Sequence, residues 1–217
     1  MLSYIKIIIY VSFLANSTLA NEIRLVFNNN IPINVSVKLH KDNLILDSAN
    51  FEAQRGKGLV LLSQLLGIHC ISIDKKGSFY VYIKDSINLE VKVDLENRKF
   101  EVINSLESHQ LNRIFQNWEN EVSMLNSLKE PSFVHFDKAF DALASEILNT
   151  QNPEIIDWAS GFLVDLEKNP SKYMLSLEKF IDFEQFVKEK YPTYKFKEMK
   201  TNFSVRKDNQ SGYYWKY

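Results

Sequence analysis

The period of the apolar positions changes once along the chain. From Asn21 to about Asn104 it is two, the repeat of a strand with one buried face. Phe79, Val81 and Ile83 alternate with Tyr80, Tyr82 and Lys84, and Leu89, Val91, Val93 and Leu95 alternate with Glu90, Lys92 and Asp94. Val35, Val37 and Leu39 follow the same rule, and Ile23, Leu25 and Phe27 follow it less cleanly. Further strands are predicted over 44–46, 68–73 and 99–103. Turn-forming clusters separate them: Asn28 to Asn30, Lys41 to Asn43, Lys75 to Gly77, Lys84 to Ser86 and Glu96 to Arg98. About seven or eight short strands at such spacing predict an antiparallel β-sandwich or open barrel.

From Ser105 the period becomes helical. Leu111, Ile114, Phe115, Trp118, Val122 and Leu125 form one stripe, and Phe136, Phe140, Leu143 and Ile147 form the next behind Pro131. Asn152-Pro153 is a cap followed by proline at the first helical position, leading into Ile155, Ala159, Phe162 and Leu166. Asn169-Pro170 repeats the device before Tyr173, Met174, Leu177 and Ile181, and Asp182 to Gln185 resembles a capping box that restarts a helix ending near Pro192. The fold class expected is therefore α+β, an N-terminal antiparallel β domain (21–104) followed by a small α-helical bundle (105–191). The tail, 192–217, is aromatic and basic without a sustained period. Its cluster Tyr213, Tyr214 and Trp215 beside Lys216 suits a stacking platform, a terminal strand or a tail tucked against the core, the anchoring roles being the commoner ones.

Residues 1–20 stand apart from both periods. Lys6 gives a weakly positive start, Tyr4 to Leu14 is apolar, and Thr18 and Ala20 place small residues at the −3 and −1 positions. That is the pattern of a signal peptide cut between Ala20 and Asn21. A run of about ten apolar residues is too short to cross a bilayer core that needs about 20. No cysteine follows it, so a lipidated terminus is not expected. The remainder reads as a soluble periplasmic or secreted protein with no transmembrane segment.

Composition narrows the options further. A formal net charge of −1 lacks the basic excess of a nucleic-acid binder, and 45% hydrophobic with 13% aromatic residues suits a packed core. Cys70 is the one cysteine, so no internal disulfide can form in an oxidising compartment. Within the strand-like run 66–73 it reads as a buried small hydrophobe rather than a free reactive thiol. His40, His69, His109 and His135 have no partner at a metal-ligand spacing, and no metal or other cofactor is expected. No nucleophile elbow or zinc-protease motif occurs, and six glycines leave little for a phosphate loop. Glu119, Glu121, Glu130 and Asp137 read as solvated helix faces rather than as a glycosidase pair. Asp47-Ser48-Ala49 and Asp85-Ser86-Ile87 resemble a short O-glycosylation acceptor, and Asn34-Val35-Ser36 and Asn202-Phe203-Ser204 fit the N-linked sequon. Three-residue patterns are weak.

One longer likeness is present. The segments LILDSANF (44–51), LGIHCISI (66–73), 79–83, 89–94 and NSLESHQLNRIF (104–115), with KNPSKY (168–173), resemble the β-rich domain and helical connector that precede a thioredoxin-like domain in bacterial envelope proteins of the thiol–disulfide interchange type. In that family the reaction belongs to the C-x-x-C pair of the following domain. This chain has no C-x-x-C, so the resemblance carries over no catalytic residue. It implies the non-redox portion: a non-catalytic envelope module whose partner is another envelope protein. The alternatives are an accessory of thiol–disulfide exchange working with a separate thioredoxin-like protein, and a hydrolase with an unfamiliar site.

Overall fold

The computed structural model describes residues 20–84, 88–129, 132–167, 177–197, 204–208 and 212–216. They fall into two compact units, Met1–Asn112 and Arg113–Tyr217. The class is α+β, with strands first and helices after.

In the first unit β1 (Asn21–Phe27), β4 (Gly58–Ser63), β7 (Leu89–Asp94) and β8 (Lys99–Val102) form a sheet in the order β4-β1-β7-β8. The second sheet is β3-β2-β5-β6, from β2 (Ile33–Lys41), β3 (Leu44–Ala53), β5 (Gly67–Ile73) and β6 (Gly77–Ile83). The sheets do not close into a barrel; they share one core. Ile23, Leu25 and Phe27 of the first and Val37, Leu39 and Ile71 of the second are all buried in it. Phe27 stacks on Phe51 at 5.2 Å and Phe79 on Phe100 at 4.7 Å, each pair joining the two sheets. Alternation in sequence thus becomes an inside and an outside, which is why a two-residue period specifies a sandwich.

Three hairpins lie where polar clusters predicted turns. Asp42 (φ 52°), Lys75 (φ 59°) and Arg98 (φ 53°) take the left-handed conformation that tight hairpins demand. Two features differ from expectation. β1 and β7 run parallel, Ile23 facing Leu89 through Phe27 facing Val93, because the chain crosses between sheets before β7 returns beside β1. The pattern gave no strand over Gly58–Ser63: Leu59 to Leu62 is continuously apolar, since Val60 and Leu62 stay exposed on the outer side.

Open sheet edges invite foreign strands, and side chains cover part of two of them. α1 (Leu106–Ser127) begins beside β6. The Asn112 amide accepts from the Tyr80 N–H at 2.8 Å and donates to the Tyr80 carbonyl at 2.6 Å, copying a neighbouring strand, and the Tyr82 N–H donates to the Ser108 hydroxyl at 2.8 Å. On the other side the Leu62 N–H of β4 donates to the Asp47 carboxylate of β3 at 2.8 Å.

The second unit holds the rest of α1 with α2 (Phe133–Leu148), α3 (Pro153–Glu167) and α4 (Leu177–Lys190). Trp118 of α1 stacks on Phe162 of α3 at 4.9 Å, and Phe140 of α2 meets Phe180 of α4 edge-on at 4.8 Å. The Asn152 side chain caps α3 by accepting the Glu154 N–H at 3.0 Å, as the Asn-Pro pair predicted. α4 runs through Asp182 without interruption, so the restart expected there does not occur; Phe180, Phe183 and Val187 form one buried stripe across it. The expected Asn169-Pro170 cap lies outside the described residues. Beyond α4, Lys197 N–H donates to Asp157 at 2.7 Å and holds the following segment to α3. The tail then forms a hairpin of β9 (Ser204–Asp208) and β10 (Gly212–Lys216). No helix among the described residues is long and apolar enough to cross a membrane.

Candidate functional site

The second sheet turns a polar face outward. Its inward residues are fixed by Val37 and Leu39 on β2, Ile71 and Ile73 on β5, and Phe79 and Val81 on β6. Their neighbours must therefore face solvent. Registry sets these neighbours in rows across the strands: Lys38 beside Ser72 beside Ser78, and His40 beside Cys70 beside Tyr80. Ser36, Lys38, Ser72, Asp74, Lys75 and Ser78 line a groove of about 500 Å³ on this face. Lys38 and Lys75 make no ion pair with another described residue, so two ammonium groups share the groove with the Asp74 carboxylate and three hydroxyls.

Cys70 belongs to this face and not to the core. It is half-buried and free. The parity that takes Ile71 and Ile73 inward takes Cys70 outward and puts His69 inside instead. Burial raises the thiol above its ordinary value of 9.0, and hydrogen bonds to the Ser78 and Tyr80 side chains only partly offset this. His40 stands opposite on β2, its Nε2 2.8 Å from the Ser72 hydroxyl. The arrangement favours the protonated thiol, the less nucleophilic form.

His69 is fully buried. A carbonyl can only accept, so Nδ1 donates to Gly67 at 3.0 Å, and Nε2 lies 2.9 Å from the buried Ser63 hydroxyl. This serine–histidine contact is closed to solvent and ties the β4–β5 turn together. Sequence spacing did not reveal it, because Ser63 and His69 meet only once the chain changes sheets.

The remaining candidates do not converge. His109 is exposed on α1, and His135 caps α2, its Nδ1 accepting the Ser132 N–H at 3.1 Å. Glu121 has its pKa raised by burial, Glu119 is exposed, and Asp137 pairs with Lys179 at 2.8 Å; Glu130 lies outside the described residues. Among the described residues no three His, Cys, Asp or Glu side chains are grouped to hold a metal. The backbone of Tyr213, Tyr214 and Trp215 pairs with Lys207, Arg206 and Val205, while their side chains lie outside the described residues. Of the predicted cleavage pair, Ala20 is half-buried and Asn21, the first residue of β1, is buried. The Asp47 carboxylate of the first acceptor pattern is engaged with the Leu62 and Ser48 N–H groups, and Asn34 of the first sequon is exposed; the second copies of both patterns include residues outside the described ones.

Comparison with protein-family models finds no match, and comparison with curated proteins finds none either.

Proposed function

We propose that this chain is an exported, non-catalytic binding module of the cell envelope, and that it takes an acidic segment of another envelope protein on the outer face of its second sheet. The observation that carries the reading is the groove. Ser36, Ser72 and Ser78 offer hydroxyls, while Lys38 and Lys75 offer charges with no ion-pair partner among the described residues. Two ammonium groups against the single Asp74 carboxylate leave the groove with a net positive charge, which suits carboxylate recognition better than bond-breaking, a task that needs an acid–base pair aimed at one atom. Export is supported by the pattern of residues 1–20, and the envelope setting by the likeness to the domain that precedes thioredoxin-like domains.

The test is capture from envelope extract by the parent chain and by a Lys38→Glu/Lys75→Glu variant of equal thermal stability. A partner retained by the parent and lost by the variant is the expected result. Identical capture by both disproves the groove reading. A second reading, the accessory of thiol–disulfide exchange, draws on the placement of Cys70 beside His40 and Tyr80 on the same face. It predicts that the Cys70 thiolate attacks the disulfide of an oxidised thioredoxin-like protein, releasing one of that protein's thiols and leaving a mixed disulfide that a Cys70→Ser variant does not form.

A further inference from the structure

The row beside the groove holds a histidine that shares one of the groove's hydroxyls. His40 follows Lys38 by two positions on β2, so both side chains stand on the outer face of the second sheet. Ser72 lies directly across from Lys38 in the strand register, and its hydroxyl is 2.8 Å from His40 Nε2. One serine therefore connects the groove's lysine with a ring that does not itself line the groove.

The protons at this contact give the serine two states. A neutral imidazole has one donor and one acceptor, so Nε2 accepts the Ser72 hydroxyl proton or donates to its oxygen, according to the tautomer. An imidazolium has two donors and no acceptor. Nε2 then donates to the Ser72 oxygen, and the Ser72 proton must find another acceptor. A carboxylate in the groove is such an acceptor. Charging His40 thus adds a positive charge near Lys38 and releases a hydroxyl donor for the same anion.

The surroundings of His40 leave that charge unanswered until an anion arrives. On β2 the neighbouring cations are Lys38 and Lys41, and the Lys41 ammonium is bonded to the Leu66 carbonyl. β3 sets Ile45 opposite His40, and Asp47 there turns its carboxylate to the Leu62 and Ser48 N–H groups. β5 sets Cys70 opposite, a thiol whose proton burial helps retain, and Tyr80 of β6 follows in the row. Among the described residues no carboxylate forms an ion pair with His40. An anion in the groove supplies that partner, so binding and protonation favour one another.

We infer that His40 belongs to the binding site and makes it pH-responsive: protonated, it holds the acidic segment more tightly through its own charge and through Ser72. The inference rests on the groove reading and deepens it. Histidine is the side chain that ordinarily changes charge between about pH 5 and 8, so the response is expected there.

The test is fluorescence anisotropy of a hexa-aspartate peptide carrying a pH-insensitive dye, added to the purified chain at constant low ionic strength. A unit charge a few ångströms from a carboxylate at the surface changes affinity about threefold, so the parent should bind about threefold more tightly at about pH 6 than at about pH 8. His40→Gln, whose amide can hydrogen-bond but takes no proton, should bring that ratio to about one, and His109→Gln, at an exposed position of α1, should keep it. Calorimetry of the parent near neutral pH, in two buffers of different ionisation enthalpy, reads proton uptake on binding without any substitution, and uptake is expected. A ratio unchanged in His40→Gln, or binding without proton uptake, overturns the inference, as does a parent that binds the peptide at neither pH. The Lys38→Glu/Lys75→Glu variant separates the two readings. Undiminished binding by it refutes the groove and this inference together; binding lost there, with the ratio unchanged in His40→Gln, refutes the role of the histidine alone.

Discussion

Cys70 shows how one residue's neighbours set its chemistry. Burial raises its pKa, with Ser78 and Tyr80 opposing, so the native thiolate is scarcer at neutral pH than that of an unfolded chain. Iodoacetamide should therefore modify Cys70 severalfold more slowly in the native protein than in urea, with the gap narrowing above pH 9.0, as followed by mass spectrometry. The linkage has a definite sign. A folded pKa above the unfolded one contributes stability below the unfolded value, and that contribution is lost as pH rises through the folded value. Denaturation midpoints should thus fall more steeply above pH 9.0 in the parent than in Cys70→Ser. The sequence reading placed Cys70 in the core, and the structure corrects it: the parity that buries Ile71 and Ile73 turns Cys70 to the half-buried outer face. A cysteine's average tendency to be buried pointed the other way and was the weaker guide.

Elements are joined by polar side chains that periodicity does not reveal. Asn112 serves as a surrogate strand for β6, making bonds of 2.8 and 2.6 Å to Tyr80. Asn112→Ala would leave a strand N–H and carbonyl without these partners and should cost about 1–3 kcal/mol in urea unfolding. Lys179 ties α4 to α2. Burial works against its charge, but Asp137 and Asp141 at 2.8 and 2.7 Å outweigh that and raise its pKa. Lys179→Met should cost about 1 kcal/mol after allowance for solvent screening, and less in high salt. The stripes of α1, α2 and α3 were legible because a 3.6-residue repeat survives any neighbour. The partners of Asn112 and Lys179 were not, because each bond joins residues more than thirty positions apart. The capping-box pattern at Asp182 failed for the complementary reason: Phe180, Phe183 and Val187 bury one continuous face, and that burial overrides a local cap signal.

At the scale of the molecule, two units each carry a core. Leu39 in the first and Leu143 in the second are fully buried. Truncation of either to alanine should cost about 2–5 kcal/mol. Hydrogen exchange should show the loss of protection concentrated in the sheets for Leu39→Ala and in the helices for Leu143→Ala, as separate cores require. The sequence by itself determined the class and order of the elements, because alternation and helical stripes are local consequences of backbone geometry. It also determined three of the turns, those of Asp42, Lys75 and Arg98, through polar clusters that accept positive φ, but not the turns on either side of Gly58–Ser63. Tertiary structure alone decided that β1 lies parallel to β7, that Gly58–Ser63 is a strand, that Lys38, Ser72 and Ser78 share one row, and that His40 meets Ser72 beside it. Each of these is a meeting of distant segments, and which segments meet is settled by burying one shared core, a quantity that no single stretch of sequence contains.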